Sequence, residues 1–179
     1  MDGASAFPYP SFFSFPPYFT LQPVKETRDK QSTLWGELIL SFCKHFKIFI
    51  IAVEEDSFTL FCNPSINRKL NLEARRSFLD DLVKEGNALW LDASHQKCLI
   101  LWKKVQEWAS LIHSFAKTYG LSDFVMSVEE LSSGDDVRGT DLQGLHREIL
   151  IRALKLLESQ GKAKLFQGAT PDEEGVKFI

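Results

Sequence analysis

The sequence predicts an α+β fold, mostly α, in which two tandem copies of one small domain follow an arm rich in proline and aromatic residues. Two observations carry this prediction. The first is an internal repeat. Trp35, Leu38, Ile39, Ser41, Phe42 and Lys44 recur 73 positions on (108 − 35) as Trp108, Leu111, Ile112, Ser114, Phe115 and Lys117. Leu79, Leu82, Gly86 and Ala88 recur 75 positions on (154 − 79) as Leu154, Leu157, Gly161 and Ala163. Two patches at nearly one offset are what a duplicated fold leaves in a sequence. The second observation is residues 1–20, which hold seven aromatics (Phe7, Tyr9, Phe12, Phe13, Phe15, Tyr18, Phe19) and four prolines (Pro8, Pro10, Pro16, Pro17).

The elements of the first copy follow in order. Trp35, Leu38, Ile39, Phe42 and Phe46 keep the spacing of a buried helix face. The β-branched run 48–53 reads as a strand. Asn63 before Pro64 is a helix-start signal, a cap followed by a first-turn proline. Leu72, Phe78, Leu79, Leu82 and Val83 suit a further helix that Gly86 stops. Residues 88–91 and 98–102 read as two short strands closing a hairpin over the polar stretch 92–97.

The second copy repeats that order. Residues 108–119 form its first helix, ended by Gly120, and 124–128 a strand. Ser127 and Glu130 have the spacing of a capping box for a short helix. An acidic loop, 134–144, leads into a helix over 145–160 that Gly161 stops. Strands at 163–167 and 176–179 close the unit around a wing at 168–175. Helices followed by a terminal hairpin are the order of a winged helix. The expected architecture is therefore two tandem winged-helix domains with an extended Pro/aromatic N-terminal arm: 1–24 arm, 25–104 first domain, 105–179 second domain. With so few residues between Trp102 and Val105, the two domains are expected to pack as a rigid pair.

Composition excludes several function classes. The 179 residues carry a net charge of −3, so no global positive field draws the chain to nucleic acid or anionic lipid. A DNA reader needs cations on its recognition helix and wing. The helix expected over 72–85 has Arg75, Arg76 and Lys84 against Glu73, Asp80, Asp81 and Glu85, a net of 3 − 4 = −1. The matching helix over 145–160 nets only 3 − 2 = +1, and the second wing carries Asp172, Glu173 and Glu174. A nucleic-acid-binding winged-helix transcription factor stands as the alternative, and these charges oppose it.

Cys43, Cys62 and Cys98 are widely spaced and form no CxxC pair with metal-ligand geometry, which suits free thiols in a reducing compartment. No P-loop, GxSxG, HExxH or glycine-rich dinucleotide turn appears. The sequence reads as a non-enzyme without cofactor or catalytic residues. The longest purely apolar run, 48–53, is far short of the roughly 20 residues a membrane span needs.

Exposed rings are unusual in a disordered tail, because they gain nothing from water and promote association. Proline fixes φ near −65°, so Pro16-Pro17 is expected to present the following rings on a stiff, extended backbone to a partner groove. Folding back on its own first domain is another fate open to the arm; service as a ligand for proline-reading modules is opposed by the absence of PxxP and of the Pro-Pro-x-Tyr spacing.

The run Phe15-Pro16-Pro17-Tyr18-Phe19-Thr20-Leu21-Gln22-Pro23, with Thr27-Arg28, Lys30-Gln31 and Trp35 after it, resembles the small-subunit family of the endosomal sorting complex ESCRT-II. The likeness continues through Leu40-Ser41-Phe42-Cys43, Gly86-Asn87, Trp90-Leu91-Asp92 and Gly175-Val176-Lys177-Phe178, nearly the whole chain from Phe15 onward. The resemblance implies a tandem winged-helix subunit present in two copies beside two larger ESCRT-II subunits. It implies that a Pro-Pro-x-aromatic motif, here Pro16, Pro17, Tyr18 and Phe19, docks on those subunits, and that Phe19→Ala weakens assembly while sparing the fold. Some members carry a second such motif upstream, where this chain has Pro8-Tyr9-Pro10. The resemblance further implies that residues 105–179 recruit an ESCRT-III subunit in the multivesicular body pathway. Its implied setting is the cytoplasm, with peripheral recruitment to endosomal membranes and no membrane insertion.

Overall fold

The structure, a computed structural model, describes residues 6–179. The first five positions of the expected arm lie outside the described residues. The chain divides into one compact unit ending at Trp102 and a second from Lys103 to Ile179.

In the first unit, two single-turn 3-10 helices, Ser11–Ser14 and Pro16–Phe19, precede α1 (Lys25–Phe46). This helix starts well before the apolar stripe read from Trp35, and its buried face begins with Gln31 and Ser32. It ends where Lys47 turns left-handed (φ 52°), letting Ile48 N–H donate back to the Cys43 carbonyl at 2.8 Å. Strand β1 (Ile50–Ala52) follows. The helix expected to start at Asn63-Pro64 is a single 3-10 turn, Pro64–Ile66. Asn63 caps it through Ser65 N–H at 3.1 Å, but Asn67 goes left-handed (φ 51°) and ends it. That turn joins a two-residue ladder, β2 (Cys62–Asn63) with β3 (Arg68–Lys69).

Helix α2 (Leu72–Lys84) is capped by Asn71, whose side chain accepts from Ala74 N–H at 2.8 Å. Strands β4 (Ala88–Trp90) and β5 (Lys97–Ile100) close the unit in the antiparallel order β1-β5-β4, with Ile51 opposite Cys98 and Leu89 opposite Leu99.

The second unit runs α3 (Val105–Thr118), β6 (Val125–Ser127), α4 (Glu130–Ser133), α5 (Arg147–Ser159), β7 (Ala163–Phe166) and β8 (Gly175–Phe178). Its sheet order, β6-β8-β7, repeats that of the first unit. The reciprocal Ser127–Glu130 bonds form at 3.3 Å each. Loop 134–144 is more than a solvated acidic stretch, since it buries Val137 and Leu142 in the core.

Duplicated positions are buried alike in both units. Trp35 and Trp108, Ile39 and Ile112, Leu79 and Leu154, and Ala88 and Ala163 are all buried. Gly86 and Gly161 both take a positive φ (82° and 71°) after the last helix, a conformation that side chains with a Cβ resist.

The core of the first unit is built around Trp35, whose ring stacks on Phe78 at 5.9 Å with Phe61 and Phe19 beside it. Arg75, only 2% exposed, crosses this core as a strut. Its guanidinium donates to the Leu70 carbonyl (3.0 Å), the Val53 carbonyl (2.9 Å) and Asp56 (3.1 Å), and lies over the Phe61 ring. Hydrogen bonds from Lys69 and then Arg75 hold the Asp56 carboxyl below its ordinary value of 3.8.

Burial of the Cys43 thiol, with Cys98 nearby, raises its pKa far above the usual thiol range. Burial together with the Asp80 charge pushes Cys98 up to about 12. Both are packing groups rather than thiolate nucleophiles.

Two outcomes follow from this core. Trp35→Ala lowers stability by about 3–5 kcal/mol, because it removes the ring on which Phe78, Phe19 and Phe61 converge; urea denaturation measures this. Asp56 has a depressed folded pKa, so its contribution is fully present above the unfolded value and is lost as pH falls through the folded one. Asp56→Asn therefore flattens the fall in denaturation midpoint below about pH 5.

Candidate functional site

The candidate site is the arm, and its shape comes from local backbone chemistry. Pro16 and Pro17 open a 3-10 turn, where a missing N–H costs nothing, and Thr20 N–H closes it onto the Pro17 carbonyl at 3.2 Å. An extended polyproline run is not what forms. Proline sets φ alone, and φ near −65° serves a 3-10 turn as well as an extended chain. Phe15 and Thr20, on either side, are extended.

Helix α1 holds this turn by its backbone. Trp35 Nε1–H donates to the Tyr18 carbonyl at 2.8 Å. The buried Gln31 amide makes three bonds: its Nε2 donates to the Tyr18 carbonyl (3.0 Å) and the Thr20 carbonyl (2.8 Å), and its Oε1 accepts from Gln22 N–H (3.0 Å). Gln22 in turn donates its side chain to the Pro17 and Thr20 carbonyls, each at 2.9 Å. Further up the arm, Asn63 Nδ2 donates to the Phe13 carbonyl at 2.7 Å.

The four residues of the expected docking motif part company here. Phe19 is 3% exposed and meets Trp35 edge-on at 5.2 Å, so it belongs to the core of the first unit. Phe19→Ala therefore cannot spare the fold, contrary to the expectation from the sequence. Pro16 and Tyr18 are half-buried and Pro17 is exposed. Phe15, outside the motif, is 50% exposed and sits 5.6 Å from Tyr18. Beside Tyr18 lies a groove of about 410 Å³ lined by Asp29, Lys30, Thr33 and Leu34.

Upstream, Tyr9 stacks on Phe13 at 4.7 Å and Phe7 packs edge-on against Phe42 at 5.3 Å. Folding back onto the first unit is thus the conformation of the arm in this structure. Gln31 was missed in the sequence, although it lies one helical turn before Trp35 on the same stripe; a polar residue at that spacing reads as solvent-facing.

The second unit exposes Phe124, Val125, Phe166 and Ile179. A groove of about 270 Å³ on α3 is lined by Leu111, Phe115, Thr118, Tyr119 and Leu142, among others. Four of the six cations on the two recognition-type helices are committed elsewhere, while Lys84 and Lys155 stay exposed. Arg75 is inside the core, Arg76 pairs with Glu54 at 2.9 Å, Arg147 pairs with Glu174, and Arg152 lies 3.8 Å from Glu148. Such a surface offers little to phosphate. Among the described residues no three His, Cys, Asp or Glu side chains gather as a metal set, and no helix is long and apolar enough to cross a membrane.

Comparison with known proteins places this architecture. Residues 12–146 match the model of the family described as ESCRT-II complex subunit. The chain is 56% identical over 178 residues to vacuolar protein sorting-associated protein 25 of Arabidopsis thaliana, covering 99% of each. It is 38% identical over 177 residues to the protein of that name from Homo sapiens, covering 98% of this chain and 99% of the relative. The crystal structure of subunit VPS25 of the endosomal trafficking complex ESCRT-II superposes with a TM-score of 0.87 at 28% identity, over 95% of this chain and 98% of that one. A chain in the crystal structure of the endosomal complex ESCRT-II (VPS22/VPS25/VPS36) gives 0.81 at 30% identity, with the same coverage. With a family model matched over most of its length and relatives covered almost end to end, the chain belongs to the ESCRT-II complex subunit family.

Proposed function

We propose that this chain is a non-catalytic assembly subunit. Its arm, through the segment Pro16, Pro17, Tyr18 and Phe19, docks onto the two larger ESCRT-II subunits, and two copies enter each complex. Its second winged helix recruits an ESCRT-III subunit. The setting is the multivesicular body pathway, in which ubiquitinated cargo is sorted from the cytoplasmic side of endosomal membranes. The working divisions are 1–24 for docking, 25–104 for support and 105–179 for recruitment.

One observation carries the reading: an aromatic-rich arm held in a defined shape by the domain behind it, with Phe15, Pro17 and part of Tyr18 left facing solvent. Large apolar rings kept in water on an ordered backbone are what an interface anchor requires, since little conformational entropy remains to be lost on binding. The solved complex of a relative that names VPS22 and VPS36 beside VPS25 supplies the class of partner. The exposed apolar residues of the second unit leave it free surface for a further protein.

Because Phe15 and the Tyr18 ring lie outside the core, they test docking without disturbing the fold. The double variant Phe15→Ala/Tyr18→Ala keeps the wild-type unfolding curve and binds the larger subunits at least about tenfold more weakly; wild-type affinity would sink the docking role. Removing residues 105–179 leaves co-purification with the larger subunits intact and abolishes capture of the ESCRT-III subunit. Retained capture would move that role to the first unit.

A further inference from the structure

We infer that Gln31 is a positioning residue for docking: its buried amide holds the arm in the shape the partner reads, with Phe19 as the inward anchor and Phe15, Pro17 and Tyr18 as the presented face. This rests on the docking role proposed above and goes beyond it, because Gln31 faces the arm and is itself fully buried from solvent.

A buried amide is costly unless its donors and acceptor are all used. Gln31 uses both kinds. The Nε2 hydrogens go to the Tyr18 and Thr20 carbonyls, and Oε1 receives Gln22 N–H. Each partner is a backbone atom of the arm, and none belongs to the domain that carries Gln31. The amide therefore makes none of these bonds within residues 25–104. What it adds is order in the arm.

The carbonyls it grips alternate along the chain at 18 and 20, with the N–H at 22. This fixes the direction in which the Tyr18 ring leaves the backbone. The groove beside Tyr18 is formed by Asp29, Lys30, Thr33 and Leu34 of the same helix, so ring and groove are registered to each other through α1. An apolar partner surface meets a ring and a recess at fixed spacing. Affinity then scales with the fraction of chains whose arm is already in place.

The test uses the full chain, with hydrogen exchange read at residues 18–22 and affinity measured for the co-purified pair of larger ESCRT-II subunits. Gln31→Met keeps the buried volume and removes all three bonds. Gln31→Glu keeps the acceptor for Gln22 N–H but turns its second oxygen toward the two carbonyls. Both are expected to speed exchange across 18–22, leave α2 and β5 protected as in the wild type, and weaken binding about tenfold. Faster exchange with unchanged affinity would overturn the positioning role, and unchanged exchange would show that the amide does not hold the arm. The Phe15→Ala/Tyr18→Ala chain separates the two levels, since it should lose affinity with arm exchange unaltered. If it binds as tightly as the wild type, the docking role itself fails and the positioning role with it.

Discussion

The first unit depends on one side chain serving two masters, Trp35. Its ring face stacks on Phe78 and its edges meet Phe19 and Phe12, while its indole N–H is given to the Tyr18 carbonyl. A buried indole needs a hydrogen-bond acceptor, and here the arm supplies it. The apolar core and the arm are therefore one structure. Burial of the ring orders the turn at Pro16–Phe19, and the turn completes the polar accounting of the ring.

The duplicated fold shows how far one scaffold diverges without changing its frame. Both sheets put the last strand between the other two, and both last helices end at a left-handed glycine. The differences lie where the frame is not involved. Between the first strand and the last helix, the first unit has a two-residue ladder, and the second has a loop that buries Val137 and Leu142. Sites specific to each unit arise from such segments, and from what precedes the first helix.

Much of this was legible in the residues. The helical stripes of Trp35 and Trp108, the glycine stops and the closing hairpins follow from burial periodicity and turn chemistry, which are local. The family likeness rests on the run from Phe15 to Pro23, where the chemistry is concentrated. What could not be read is equally specific. The segment 59–69 is made of 3-10 turns and a two-residue ladder, each too short to show a period. The turn at Pro16-Pro17 has the φ of an extended chain and differs only in ψ. That Phe19 faces inward and Tyr18 does not depends on Trp35 and Gln31, 16 and 13 residues away in sequence (35 − 19 and 31 − 18). Gln31 itself is hidden by its type, because a polar residue is assigned to the wet side of a helix until its partners are seen.

The clasp of Gln31 on the arm is made to backbone atoms, and that has a bearing on how this surface diverges. At positions 18 and 20 the amide recognises carbonyls, which every amino acid possesses. The identity of the ring at 18 is therefore uncoupled from the means by which it is held, whereas position 31 has little latitude. A lineage can rewrite what the arm displays to its neighbours by changing Tyr18 alone, while the mounting beneath it is inherited unchanged.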